Sequence, residues 1–379
     1  MIYFDNAATT LKKPDTVAKA VFDAINSFAN ASRGSYELSL NSERVILDTR
    51  EKIVKLFNGY SPNYVAFTSN STEALNTAIK GILNKNSHVI TTSLEHNSVL
   101  RPLYEMQELG TELTIIKSNN KGELNYNDIE KSIKQNTKAI ICTHASNVIG
   151  DILDIEFISD LCTKHNILFI LDASQTAGSI NIDMKKNNID MVCFTGHKGL
   201  MGPQGTGGLC IKKGVDIKPL KTGGSGIKTY SKTHPENMPT RLEAGTLNSH
   251  SIAGLNAALE FIENETTEKI RDKERELADC FYKGIKNIEN IKLYGNYNTK
   301  KRTSIVALNI GDADSAKVSD ILSSKYNIAT RSGGHCAPLM HEALGTVKQG
   351  IVRFSFSYFN TFEEIENGID AVREIGKSL

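Results

Sequence analysis

The chain has 379 residues, 40% of them hydrophobic and 23% charged, with a formal net charge of +1. A charge so near zero excludes the basic excess of a nucleic-acid binder, and no run of about 18 apolar residues is present to cross a membrane as a helix. The opening "MIYFDNAATT" reaches Asp5 before the apolar centre of a leader could form, so a cytoplasmic location is expected.

In chain order, "SERVILDTREKIVKLFNG" (Ser42 to Gly59) has apolar residues near helical spacing and predicts an amphipathic helix stopped by glycine. "NYVAFTSNSTEALNTAIKGIL" predicts a short strand over 64–67 and a helix from Ser71, with Asn70 and Glu73 spaced as a capping box. "SHVITTSLEHNSVL" repeats that plan of strand, polar turn and helix. "ELTIIKS", "KAIICTHAS", "ILFILDAS" and "DMVCFTG" are strand-like, and "IEFISDLCTKHN" is helical. Strands alternating with helices predict a mainly parallel sheet covered on both faces.

After "HKGLMGPQGTGGLCIKKG" the pattern changes. A polar stretch runs from Lys221 to Asn248, followed by a long helical region over 252–286. The alternation of "TSIVALNI" and "GIVRFSFSYF" then predicts a partly exposed antiparallel sheet. The expected division is a large α/β domain over 1–255 and a smaller α+β domain over 256–379.

The cysteines are Cys142, Cys162, Cys193, Cys210, Cys280 and Cys336. None forms a close pair, so neither a zinc knuckle nor a dithiol motif is present. Most sit in apolar runs and read as small buried hydrophobes. Cys336 differs, lying in "RSGGHCAP" beside His335. No further ligand stands at metal spacing from that pair, so no metal site is expected.

In open α/β sheets, ligands sit beyond the carboxyl ends of the strands. Ser71 and Thr72 open a helix there and suit a phosphate, although an N-cap is their ordinary use. Asp172 ends a buried strand and suits a protonated pyridine nitrogen, although capping the next element is commoner. Lys198, among glycines, suits imine formation, although most loop lysines are merely solvated. His96 suits stacking on a flat heterocycle. Singly these readings are weak. Together they describe pyridoxal 5′-phosphate: a phosphate cup, a stacking ring, a partner for the ring nitrogen and a lysine for the aldehyde.

"YFDNAATT", "TSNSTEA", "LEHNS", "SNVIG", "DASQ", "TGHKGLMGPQGTG", "RLEAGT" and "RSGGHCAP" follow one another as they do in the class V aminotransferase-fold enzymes. The chain most resembles the cysteine desulfurase and selenocysteine lyase branch, over nearly its whole length. The resemblance implies a PLP-dependent transferase of fold type I, with a mainly parallel seven-stranded sheet. It also implies that roughly the first 15 residues pack near the small domain and the active site.

Residue by residue, the resemblance implies the following roles. Lys198 holds the cofactor as an imine. His96 stacks on its ring and serves in proton transfer. Asp172 pairs with the ring nitrogen, Gln175 lies near the phenolic oxygen, and Asn147 serves both cofactor and substrate. Ser71, Thr72, Thr195 and His197 bind the phosphate. Thr246 reaches the phosphate site of the other subunit of a homodimer. Asn6, Asn147, Arg331 and Arg353 bind substrate, and a guanidinium suits a carboxylate because it donates two parallel hydrogen bonds.

The resemblance further implies that Cys336 becomes a persulfide as L-cysteine is converted to L-alanine, and that the sulfur passes to an acceptor protein, as in iron–sulfur cluster assembly. The alternative is selenide release from L-selenocysteine, or the chemistry of another class V enzyme such as an aminotransferase. A cofactor-free Cys–His hydrolase is a reading from a different class. His335 and Arg331 are expected to favour the thiolate, and Gly333 and Gly334 to let a mobile loop approach the cofactor. The chain departs from better-known desulfurases in two places. They carry a helix ahead of the "DNAA" segment, and a second histidine where this chain has Asn97.

Overall fold

Twelve strands carry the architecture among the described residues, which are 1–31 and 36–378 of a computed structural model. They are β1 (Ile2–Tyr3), β2 (Val65–Thr68), β3 (His88–Thr92), β4 (Glu112–Ile116), β5 (Thr137–Thr143), β6 (Leu168–Asp172), β7 (Met191–Thr195), β8 (Gly207–Ile211), β9 (Ile291–Tyr294), β10 (Ile305–Ile310), β11 (Ile328–Ala329) and β12 (Val352–Ser355). Leu379, the last residue of the expected small domain, lies outside the described residues.

Seven strands form one sheet in the order β2-β8-β7-β6-β5-β3-β4. Only β8 runs against its neighbours. The apolar strand runs follow from burial on both faces. On β6, Phe169 and Leu171 enter one core cluster and Ile170 the other. On β7, Val192 and Phe194 face one way, Met191 and Cys193 the other. This is the two-residue pleat read through two apolar layers.

Antiparallel β9, β10 and β12 make a second sheet with β10 central. The expected partial exposure is found only on the edge strand β9, since every residue of β10 and of β12 is buried. Val306, Leu308 and Ile310 pack with the helices Thr267–Ile285 and Phe362–Ser378, while Ala307 joins the core of the large sheet. The face of β10 expected to meet water thus meets the large core, which includes Val148 and Ile149 from the loop after β5.

The helical region over 252–286 is two helices, Ser249–Glu265 and Thr267–Ile285. Thr266 breaks it with φ 69° and ψ 142°, and its hydroxyl accepts the Lys269 N–H as an N-cap. Neither glycine nor proline announces the break. The first predicted helix starts earlier, at Glu37, and stops at Phe57 with Asn58 left-handed, ahead of Gly59. The capping box is partly as expected: the Glu73 N–H donates to Asn70 Oδ1, but the Glu73 carboxylate accepts from Ser69.

The N-terminal segment ties the parts together. β1 pairs in parallel with β11. Phe4 is fully buried, its ring 4.9 Å from that of Phe356 in an edge contact. No helix among the described residues is long and apolar enough to cross a membrane.

Candidate active site

The carboxyl ends of β2, β3, β5, β6 and β7 converge on one cavity of about 300 Å3. Its walls include Ser71, Thr72, His96, Asn147, Asp172, Gln175, His197, Lys198, Arg331 and Arg353. Ten of the residues named from sequence therefore come together, from segments far apart in the chain.

Lys198 follows β7. Burial, with the nearby Arg353 cation adding to it, pushes its amine down to about 8. Thr10 holds its carbonyl at 2.8 Å, and the Thr10 N–H holds the His197 carbonyl at 3.0 Å. His197 Nδ1 lies 3.0 Å from Thr9 Oγ1, and burial pushes its ring down to about 4. The "DNAATT" segment is thus a brace for the lysine turn.

Asp172 ends β6. Burial pushes its carboxyl up, and Ser174 opposes this by donating through both its backbone N–H, at 2.9 Å, and its hydroxyl. Both bonds go to Oδ1, so Oδ2 is left to the cavity that Asp172 lines. A buried carboxylate stays ionised only beside a cation. Gln175 donates to the Ala7 carbonyl at 3.2 Å.

His96 stands at the N-cap of the helix Asn97–Glu108. The Ser98 N–H donates to its Nδ1 at 3.0 Å, which fixes the ring proton on Nε2. Burial pushes the ring down to about 4, so it is neutral near pH 7. Ser98 Oγ, 2.9 Å from the same nitrogen, also meets Thr72 Oγ1 at 2.8 Å. One serine therefore links the ring to the proposed phosphate cup.

Arg353 is buried on β12. It donates to Asp5 Oδ1 and to the Asn147 carbonyl, both at 2.9 Å, and its Nε has no partner. Asn147 donates to the His335 carbonyl at 2.8 Å, while its Oδ1 is buried and unpartnered. Thr195 Oγ1, at the end of β7, is likewise buried without a partner, although Thr195 is not among the residues that line the cavity. Buried polar atoms are almost always satisfied, so orphans at this site point to a missing polar ligand. Hydroxyls at a helix N-terminus, an acid at the sheet edge, a lysine with a lowered pKa and these orphans fit pyridoxal 5′-phosphate.

Asn6 is not brought to this cavity. Its amide donates to the carbonyls of Tyr3 and Ser355 and to Asn360 Oδ1, and these bonds hold the N-terminus to the small sheet. Thr246 is exposed and lines a separate hollow with Asn30 and Ser249.

The Cys336 side of the site is more rigid than the two glycines suggest. The Asn97 N–H donates to the Cys336 carbonyl at 2.7 Å, the position where a second histidine was absent. Gly333 donates to Ser315 Oγ at 3.2 Å, and Arg331 and Arg353 form an isolated bridge. Gly333, His335 and Cys336 are all left-handed, with φ of 91°, 49° and 56°. The thiol is exposed while the His335 ring is buried. Burial pushes that ring far below its ordinary value, so His335 is neutral and supplies no charge to a thiolate. Arg331, which lines the cavity, remains the cation nearby.

Sequence reasoning missed Asp5, Thr9, Thr10 and Ser98. All four lie inside quoted motifs, so their presence was visible, but their partners were not.

A family model for aminotransferase class-V matches residues 2–367. A probable cysteine desulfurase from Pyrococcus abyssi is 34% identical, over 100% of this chain and 95% of its own length. A cysteine desulfurase IscS from Pectobacterium carotovorum is 30% identical, over 98% of this chain and 92% of its own. Among solved structures, the apo cysteine desulfurase from Thermococcus onnurineus superposes with a TM-score of 0.94 at 32% identity, covering 100% of this chain and 95% of that one.

Proposed function

Because the chain belongs to the aminotransferase class-V family, we propose that it is a cysteine desulfurase, converting L-cysteine to L-alanine with the sulfur taken up by Cys336. The family depends on pyridoxal 5′-phosphate. The observation that carries the reading is an exposed thiol on the residue that follows His335, which with Arg331 lines a cavity already suited to that cofactor; Cys336 itself is not among the lining residues.

Ser71, Thr72, Thr195 and His197 would hold the phosphate, Asp172 Oδ2 the ring nitrogen, and Lys198 the aldehyde carbon. His96 would lie against the ring with its Nε2–H available. When bound, the cofactor supplies the sink for electrons released at the substrate Cα. Arg353, with Arg331 beside it, orients the substrate carboxylate. Lys198 Nζ, with its lowered pKa, removes the Cα proton.

Cys336 Sγ, as thiolate, then attacks the substrate sulfur. An S–S bond forms, the substrate C–S bond breaks, and its electrons stay with carbon, which is protonated. The balance is cysteine plus enzyme thiol giving alanine plus enzyme persulfide.

The same proposal includes a homodimer, supported by the exposed Thr246 outside its own cavity. It includes a sulfur-acceptor protein, supported by the exposure of Cys336. It also includes a cytoplasmic setting, supported by six unpaired cysteines.

The test is an assay of the purified holoenzyme with cysteine and selenocysteine side by side. Alanine should form from cysteine, and Cys336→Ala should abolish this while leaving the visible absorbance of the bound cofactor intact. Keto-acid-dependent amino transfer without sulfide would overturn the reading. Activity on selenocysteine alone, insensitive to Cys336→Ala, would move it to selenocysteine lyase.

A further inference from the structure

Behind Cys336 lies a line of buried polar groups that the chemistry above does not use. His335 Nε2 is 3.3 Å from the Arg331 carbonyl, and His335 Nδ1 is 3.4 Å from His341 Nε2. His341 Nδ1 is 2.8 Å from Thr346 Oγ1. The two imidazole planes differ by 7°. His335, His341 and Thr346 are each at most 3% exposed.

The protons in this line have one arrangement. A carbonyl only accepts, so His335 must carry its proton on Nε2. His335 is neutral, so its Nδ1 accepts and His341 must donate from Nε2. His341 Nδ1 then accepts, and the Thr346 hydroxyl donates. Every ring nitrogen in the line is satisfied, and one backbone carbonyl sets the whole order.

The line ends on a residue under strain. His335 and Cys336 are consecutive non-glycine residues in the left-handed region. Each such residue persists only where its surroundings enforce it. Asn147 fixes the His335 carbonyl, Asn97 fixes the Cys336 carbonyl, and the histidine line fixes the His335 ring. His341 belongs to the helix Pro338–Leu344, which starts two residues after Cys336. Ring and thiol are therefore referred to the same short helix.

We propose that His341 and Thr346 are positioning residues for Cys336, acting as a latch that holds the strained 335–336 turn so that the thiol faces the substrate. The role of the thiol rests on the desulfurase reading, and the latch itself does not.

Three variants of the holoenzyme test it: His341→Leu, which removes both bonds; His341→Gln, which keeps a donor at the Nε2 position; and Thr346→Val, which removes the outer donor. Amide hydrogen exchange of segment 331–337 is measured beside kcat and KM for cysteine. In His341→Leu, exchange of the segment should quicken about tenfold and kcat should fall about tenfold, with KM within about twofold and the cofactor absorbance retained. His341→Gln should recover most of both, and Thr346→Val should show the same changes more weakly. Unchanged exchange in His341→Leu and Thr346→Val overturns the latch. Faster exchange with unchanged kcat overturns the positioning role. If the unmodified enzyme releases no alanine from cysteine, the desulfurase reading fails, while the exchange comparison still decides the latch. Should His341→Leu not fold, Thr346→Val and His341→Gln carry the same comparison.

Discussion

At the scale of single residues, Lys198 is set by its surroundings. An amine with its pKa pushed down to about 8 by burial and by Arg353 is protonated below that pH and nucleophilic above it. The rate at which cofactor-free protein forms its coloured imine with added pyridoxal 5′-phosphate should therefore rise through about pH 8. A midpoint near the ordinary lysine value of 10.5 would contradict the burial. Lys198, Asp172 and His96 were legible in the sequence because each ends or follows a run recognisable as a strand. Ser98, Thr9 and Thr10 were not, although they are close by or inside motifs. Serines and threonines near a turn are common, and only the fold shows that Ser98 meets Thr72, or that Thr10 meets Lys198.

At the scale of elements, the strands of the large sheet were readable from their apolar runs, and β8 was not, because "GTGGLC" looks like a turn. Its glycines have a packing reason. A Cβ on Gly207 would stand 2.7 Å from the Asn70 backbone, at the entry to the proposed phosphate cup. Gly207→Ala should lower pyridoxal 5′-phosphate affinity about tenfold or more, measured by absorbance titration of the cofactor-free protein. Unchanged affinity would show that the cup tolerates a shift of Asn70. The break at Thr266 escaped detection for a different reason: its backbone conformation is one that glycine adopts freely and threonine resists. Thr266→Gly relieves that strain, worth about 1–3 kcal/mol, and gives up the hydroxyl cap, worth a few tenths of a kcal/mol to glycine, and about 0.4–1 kcal/mol through the greater freedom of the unfolded chain. A net gain of about 1 kcal/mol is expected in the denaturant midpoint.

At the scale of the whole molecule, the joint between the two sheets holds a buried carboxyl. Glu274 lines a hollow of about 30 Å3 with Asn6, Lys198 and Ser304. Burial pushes its pKa up to about 8 from 4.5. The native chain binds this proton more tightly than the unfolded chain does. The stability that this proton contributes is thus fully present below pH 4.5 and is lost as pH rises through about 8. Glu274→Gln removes the ionisation. It should raise the unfolding temperature at pH 8 by about 2 °C or more and leave it little changed at pH 4.5. An equal shift at both pH values would mean that packing, not charge, is responsible. Strand–helix alternation made the α/β class legible, but the covering of β10 by the large core was not. Alternation in "TSIVALNI" says that two faces differ, not that both are covered.

The stitching of β1, Phe4, Asp5 and Asn6 into the C-terminal part has a consequence in time. These residues are made before any strand of the large sheet, yet Ile2 must wait for Ile328, Asp5 for Arg353 and Asn6 for Ser355 and Asn360. The large sheet has all its strands once residue 211 has been made, about 140 residues before Arg353 is translated. Thr9 and Thr10 can brace the lysine turn at that stage, but the carboxylate side of the site cannot close. A stretch made before the large sheet is seated only after it, and the cavity is finished only when residues 2–6 meet the segment around Arg353.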